Sequence, residues 1–305
     1  MKTPVALLIF NRPDTTKRVF KAIRQAKPPQ LLVVADGPRQ ERPEEAKKCQ
    51  AAQQIINGVD WDCQVLANYS SINLGCKKRV SSGLDWVFSL VEEAIILEDD
   101  CLPHPTFFQF CEELLAKYRH DRRMMAIYGT NFQGDWKSDR QSYHFSYYGC
   151  IWGWATWKRA WDYYDVDMKL WANPDIQGCV RDVICDPQQY QLRKQRFDTM
   201  YAGKVDSWDL QWLFACLFQS GLAVIPAVNL VSNIGFGAEA THTKDEDDSL
   251  ANLPVLPMTF PLKEPAGVAV DREYDYRLYL KLFKQKTLIQ RFWRRVKRLL
   301  KKRSG

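Results

Sequence analysis

The sequence predicts an α/β protein in which a mostly parallel sheet carries helices on both faces. Three observations carry this expectation. Residues 5–10 (VALLIF), 31–35 (LLVVA) and 94–97 (AIIL) are short apolar runs without alternation, the pattern of strands buried on both faces. Each run stops at polar or turn-forming residues: Asn11-Arg12-Pro13, Asp36-Gly37-Pro38 and Glu98-Asp99-Asp100. Segments with helical spacing separate them, and a β-α-β-α order implies parallel pairing through crossovers.

Taken in order, residues 14–26 read as a helix with Val19, Phe20 and Ile23 on its inner side, and residues 40–57 as a polar helix. Residues 63–67 (CQVLA) form a weaker third strand, 75–91 a helix with a strong apolar side, and 105–118 another helix. Beyond residue 125 the alternation is less regular, with strands expected at 125–129, 150–157 and 223–227 and helices at 188–201 and 207–220. Residues 244–268, with an acidic run and several prolines, read as a loop wrapping back over the body.

Composition narrows the function classes. Hydrophobic residues make up 46% and charged residues 26% of the 305, which supports a packed core and argues against disorder. The net charge of +7 belongs to the end of the chain: residues 277–303 hold 12 Lys or Arg and no acid, leaving 31 basic against 36 acidic residues elsewhere. A mildly acidic body argues against a nucleic-acid partner. Within the tail, Leu288, Ile289, Phe292, Trp293, Val296, Leu299 and Leu300 fall on one helical stripe opposite Arg and Lys. Such a basic amphipathic helix suits an anionic membrane surface. Nine cysteines without CxxC spacing argue against a disulfide framework. No apolar run reaches the ~18–20 residues of a membrane span. The expected location is cytoplasmic, with the tail lying on the cytoplasmic face of a membrane.

In sheets of this kind ligands bind beyond the carboxyl ends of the strands. Asn11 and Arg12, Asp36, Asn73 and Gly75, and Glu98, Asp99 and Asp100 should therefore converge on one crevice. Three successive carboxylates at a strand end repel one another, and a cation relieves that cost. Oxygen-rich sites suit Mg²⁺ or Mn²⁺ shared with substrate phosphates. Asp36 could accept hydrogen bonds from a base or ribose; Lys77, Lys78 and Arg79, following the permissive Gly75, could face a diphosphate. The plain alternative for each is structural: a turn, a helix cap or a solvated face.

The segments VALLIFNRPD, VVADG, Asn73-Leu74-Gly75 with downstream Lys, and IILEDDCLPHPTFF resemble glycosyltransferases of the GT-A fold, which is Rossmann-like. The last segment is similar to N-acetylglucosaminyltransferase I and to bacterial hemolysin-like glycosyltransferases. The resemblance spans residues 3 to about 245. It implies Asp100 as direct metal ligand, a DxD-type motif with Glu98 and Asp99 beside ribose and metal, Asn11 and Arg12 in the first nucleotide loop, Asp36 on the base and Lys78 toward the diphosphate. It also implies Trp154, in Gly153-Trp154, beside the donor sugar; Asp209, in Ser207-Trp208-Asp209, as general base with Asp206 as rival; and His242 on the metal or diphosphate.

The expected activity is metal-dependent, inverting transfer of a sugar from a nucleoside diphosphate donor, a UDP-sugar by the resemblance, to a glycan, lipid-linked or other acceptor hydroxyl. The alternatives are a nucleotidyltransferase of similar fold, which usually has a Gly-rich first loop, and a non-catalytic membrane-active or carbohydrate-binding protein. The expected organisation is one domain over residues 1–270, with a nucleotide part to about 130 and an acceptor part from 131, followed by the tail at 271–305.

Overall fold

Parallel pairing begins at the first apolar run. In a computed structural model that describes residues 1–236 and 250–284, strand β1 (Val5–Ile9) pairs in parallel with β2 (Gln30–Ala35) on one side and β4 (Glu93–Glu98) on the other; β2 pairs in parallel with β3 (Gln64–Tyr69). The chain divides into two compact units, residues 1–270 and 271–305. His242 and the amphipathic stripe from Leu288 to Leu300 lie outside the described residues.

The first unit holds an eight-stranded, Rossmann-like sheet in the order β3-β2-β1-β4-β8-β6-β9-β7, where β6 is Met124–Tyr128, β7 Tyr143–Ser146, β8 Trp154–Trp157 and β9 Leu222–Pro226. The four strands that open the chain are parallel. Strand β8 enters antiparallel between β4 and β6, β6 pairs with β9 in parallel, and β7 closes that side antiparallel. The expected strand at 150–157 is shortened to its last four residues. Gly153 has φ +68, and a Cβ there would lie 2.7 Å from Val231 Cγ2. The backbone therefore turns at 153 and only then joins the sheet.

Side chains alternate across the parallel strands. Val5, Leu7, Ile9, Leu31, Val33, Ala35, Ile95 and Leu97 share one core with Val19, Phe20 and Ile23 of helix α1 (Pro13–Ala26) and with Phe107, Phe110 and Leu114 of α4 (Thr106–Tyr118). Helix α1 begins with Pro at its first position and stops at Lys27, whose φ of 49 is left-handed. The opposite strand faces are buried too, among them Ala6, Leu8, Leu32, Val34 and Ile96. Helix α3 (Gly75–Leu90) packs there so closely that a Cβ on Gly83 would meet Val34 Cγ1 at 2.4 Å. Helix α2 (Glu45–Gln54) lies between β2 and β3 in sequence.

After β8 a short α5 (Lys158–Trp161) leads to three helices: α6 (Pro174–Ile184), α7 (Pro187–Tyr201) and α8 (Asp209–Phe218). Asn173 and Asp186 cap α6 and α7 through side-chain oxygens that accept from Asp175 N and Gln189 N. The sequence pattern shows α7 and α8 but not α6, nor β7, nor the two-stranded ribbon of β5 (Cys101–Pro103) with β10 (Val231–Asn233). Three- and four-residue strands and a capped eleven-residue helix carry too little periodicity to stand out.

In the second unit, α9 (Arg272–Tyr279) is capped by Asp271, whose carboxylate accepts from Tyr274 N at 3.1 Å, and continues as a π-helical turn over Leu280–Lys284. Among the described residues no helix is long and apolar enough to cross a membrane.

Candidate functional site

The carboxyl ends of β1 and β4 bring Phe10, Arg12 and the Glu98-Asp99-Asp100 run together. Asp99 accepts from the Phe10 backbone N–H at 3.0 Å, and the Arg12 guanidinium donates to Asp100 Oδ2 at 2.6 Å. Asp99 and Asp100 are buried. The ribbon closes over them: Ile234 N donates to the Asp100 carbonyl at 2.8 Å, and Asn233 Nδ2 lies 3.5 Å from Asp100 Oδ1. A Cβ on Gly235 would sit 2.1 Å from Asp100 Oδ2 and 2.6 Å from Arg12 Nη1. Sequence reasoning misses Asn233 and Gly235 as site residues; the only trace they leave in the sequence is a Gly-rich bend far from the acidic run.

The electrostatics show the strain of this cluster. Burial, then the charges of Asp100, Asp99 and Asp209, push the Glu98 carboxyl well above its usual range, against the opposing pull of Arg12. Glu98 Oε1 is buried without a hydrogen-bond partner among the described residues. Burial and the Asp100 charge push Asp99 up to about 7, against Arg12 and the Phe10 N–H. Burial works against the Arg12 charge, but the three carboxylates outweigh it and hold its proton more firmly.

The Asp99 shift has a definite sign. Its folded pKa lies above the ~3.9 of an unfolded Asp, so the native state binds the proton more tightly between those values. Its contribution to stability is full below about pH 4 and is lost as pH rises toward about 7. We expect the melting temperature of the metal-free protein to fall across this window by more than that of Asp99→Asn, as read by thermal denaturation from pH 4 to 8. Parallel profiles for the two proteins would remove Asp99 from this account.

At the end of β2 the structure corrects four expectations. Asp36 accepts from Gly37 N at 2.9 Å, Leu74 N at 2.9 Å, Asn73 Nδ2 at 3.0 Å and Gly75 N at 3.2 Å. A carboxylate offers about four acceptor positions, so Asp36 has none left for a base or ribose. Burial raises its pKa, opposed by those backbone donors and by Arg79. Asn73 also donates to the Gly37 carbonyl at 2.9 Å, so it braces the turn instead of facing a nucleotide. Gly75, with φ +80, admits a carboxylate of the protein's own chain: a Cβ there would lie 2.8 Å from Asp206 Oδ2. Arg79 turns inward, donating to the Ala35 carbonyl at 3.0 Å and to Asn68.

Asp206 caps a helix, but not the one next to it in sequence. Its oxygens accept from Cys76 N at 3.0 Å and Lys77 N at 2.9 Å. The first N–H groups of α3 are thus satisfied by two carboxylates, Asp36 and Asp206, which suit a helix N-terminus for the same reason a phosphate would. Lys77 lies 3.9 Å from Asp167, and Lys78 is exposed on α3.

Trp154 is a further correction. It is 0% exposed, and its ring centroid lies 5.5 Å from that of Trp212, 5.7 Å from Trp208 and 6.4 Å from Trp161 and Tyr128. Enclosed by aromatic rings, it belongs to the core and cannot touch a donor sugar. The partly buried Trp152, packed edge-on against Phe132 and Phe236, is the ring of this segment that retains exposed surface. Trp208 and Trp212, fully buried in the same cluster, fix the start of α8. That places Asp209 where its charge acts on Glu98, Cys76, Cys150 and Tyr164. Ser207 Oγ donates to Asp209 Oδ1.

The oxygen-only donor set of Glu98, Asp99 and Asp100, with a partnerless buried oxygen, fits Mg²⁺ or Mn²⁺, ions that take one or two carboxylates and complete their shell with phosphate and water. Among the described residues no three His, Cys, Asp or Glu converge as a ready-made metal cage.

No protein-family model and no curated protein matches the chain. Among solved structures it is similar to 4-diphosphocytidyl-2C-methyl-D-erythritol synthase of Anaerococcus prevotii, at 12% identity over 57% of this chain and 78% of that one, with a TM-score of 0.33. It is also similar to an apo UDP-glucose pyrophosphorylase, at 8% identity over 75% and 93% of the two chains and a TM-score of 0.35. HddC of Yersinia pseudotuberculosis, solved with GMP-PN, gives 8% identity over 51% and 77%, with a TM-score of 0.31. One of these is a diphosphocytidyl synthase and one a pyrophosphorylase; neither is a glycosyltransferase. The enzyme class expected from the sequence, hexosyl or N-acetylhexosaminyl transfer, is therefore corrected: it finds no support among these neighbours, whose likeness to this chain is one of fold alone.

Proposed function

We propose that this chain is a metal-assisted nucleotidyltransferase of nucleotide-sugar chemistry. The observation that supports it best is the crowded Glu98-Asp99-Asp100 run beside the Arg12 guanidinium. It gathers two kinds of group that a polyphosphate uses: carboxylates to share a divalent ion and a planar cation to bind phosphate oxygens. The loop after β1 has no glycine, so its offer to the phosphates is the Arg12 side chain with Asn11 beside it. A divalent ion held by Asp100 with Glu98 or Asp99 would neutralise charge on the phosphates.

In the reaction, an oxygen of the acceptor's phosphate forms a bond to the α-phosphorus of a nucleoside triphosphate. The α–β bridging P–O bond breaks, and pyrophosphate leaves with the electron pair. In this reading Arg12 would hold the phosphate chain, Lys78, exposed on α3, would supply a second cation, and Asp209, whose charge reaches Glu98, would position the acceptor. Proximity of both substrates is the main contribution such a site can make.

The test is pyrophosphate release from each nucleoside triphosphate with a panel of hexose 1-phosphates and Mg²⁺ or Mn²⁺. We expect release with one pair, and Asp209→Asn to lower turnover by about 10²-fold with little change in nucleotide affinity, the cost of a misplaced acceptor. Release of a nucleoside diphosphate from a nucleotide sugar, with no pyrophosphate from any pair, would overturn the reading.

A further inference from the structure

The contact between Arg12 and Asp100 ties the loop after β1 to the acidic run after β4. Both Asp100 oxygens already have neighbours within the chain: Oδ2 accepts from Arg12 at 2.6 Å, and Oδ1 lies 3.5 Å from Asn233 Nδ2 and from Cys101 Sγ. The ion pair is largely enclosed, with 17% of the Arg12 and 12% of the Asp100 side chain exposed. It is also covered from one side by the backbone at Gly235, where no room for a Cβ exists beside either partner.

A divalent ion binds a carboxylate oxygen at about 2.0–2.1 Å. At Asp100 Oδ2 it would meet the guanidinium in a largely enclosed pocket, where repulsion between the two cations is weakly screened. Departure of the guanidinium relieves that repulsion. Its natural destination is a phosphate, whose oxygens match its fork of N–H donors.

We propose that Arg12 is a tethered cation that occupies the metal's carboxylate until a nucleotide polyphosphate draws it away, so that metal binding depends on nucleotide binding. This deepens the proposed function and rests on it for the ligand class. It assigns Arg12 two states: paired to Asp100 in the free protein, paired to phosphate in the loaded one. Asp99 and Glu98 keep the guanidinium in the neighbourhood during the exchange, because both act on its charge. By linkage the coupling is reciprocal: whatever factor the nucleotide adds to metal affinity, the metal adds to nucleotide affinity.

The experiment measures Mn²⁺ binding by electron paramagnetic resonance, with no turnover involved, for the wild type, Arg12→Gln and Arg12→Lys, each with and without uridine, guanosine or cytidine diphosphate. The wild type should bind Mn²⁺ weakly alone and at least tenfold more tightly with one of the nucleotides. Arg12→Gln should bind Mn²⁺ alone at least tenfold more tightly than wild type, with its dependence on nucleotide reduced to about threefold or less. Arg12→Lys, which keeps the charge but loses the fork, should fall between them. Mn²⁺ affinity unaffected by nucleotide in the wild type, or unchanged in Arg12→Gln, overturns the proposal while leaving the nucleotidyl reading standing. No binding of Mn²⁺ or nucleotide by any of the three proteins overturns both.

Discussion

Asp100→Asn is expected to weaken metal-dependent nucleotide binding by at least 10²-fold without lowering the stability of the free protein. The first half rests on chemistry: an amide oxygen is a poor substitute for a carboxylate toward a hard divalent ion. The second half rests on the imbalance of charge. Removing one partner of a buried ion pair ordinarily destabilises, because the other charge is left alone. Here two further carboxylates act on Arg12, and the Asp100 charge is itself a cause of the raised pKa values of Glu98 and Asp99. Losing it relieves that repulsion, so the melting temperature should stay level or rise. Calorimetric titration of nucleotide with Mn²⁺ and a thermal melt of the free variant check the two halves separately. A fall of several degrees would show that Arg12 depends on Asp100 alone.

Asp36→Ala should act in the opposite sense, on stability before function. Four donors lose their acceptor, and three of them are backbone N–H groups at Gly37, Leu74 and Gly75. A hydrogen bond to a charged group is worth ~1.5–3 kcal/mol. The sum overstates the loss, because burial disfavours the Asp36 charge and that cost disappears with it. A net destabilisation of about 3 kcal/mol remains, roughly 5 °C in a chain of this size. Denaturant unfolding of the variant measures it. A loss under ~1 kcal/mol would mean that water replaces the carboxylate freely and that the turn from Ile72 to Gly75 is not braced by it.

The opening half of the fold is legible because a buried parallel strand announces itself in five or six residues. Residues 5–10, 31–35 and 94–97 differ from strands β1, β2 and β4 by a residue or so at their ends. The site run at 98–100 is legible for the same reason, since the residues directly after a buried strand lie at the sheet edge. The sequence misleads at Trp154 because a Gly-Trp pair carries no sign of which way the ring points. Only the converging rings of Trp161, Trp208 and Trp212 show that it points inward. It misleads at Asp36 and Asp206 because a carboxylate beside a glycine turn has one appearance whether it awaits a ligand or holds the chain. Apart from the adjacent Gly37, their partners lie 37 to 130 residues away, and no local pattern reports contacts at that range.

Asp206 carries one more consequence, for how the protein is made. Helix α3 begins at Gly75, yet two of its first N–H groups wait for a carboxylate that emerges from the ribosome 130 residues later. Strand β6 likewise cannot join the sheet until β8 has been synthesised, because β8 lies between it and β4. A nascent chain ending near residue 130 therefore holds four parallel strands with an open edge at β4 and a frayed helix start. Exposed edges of this kind recruit other strands, so early release of the nascent chain should yield aggregates, and the sheet is complete only after β9 has passed the exit tunnel.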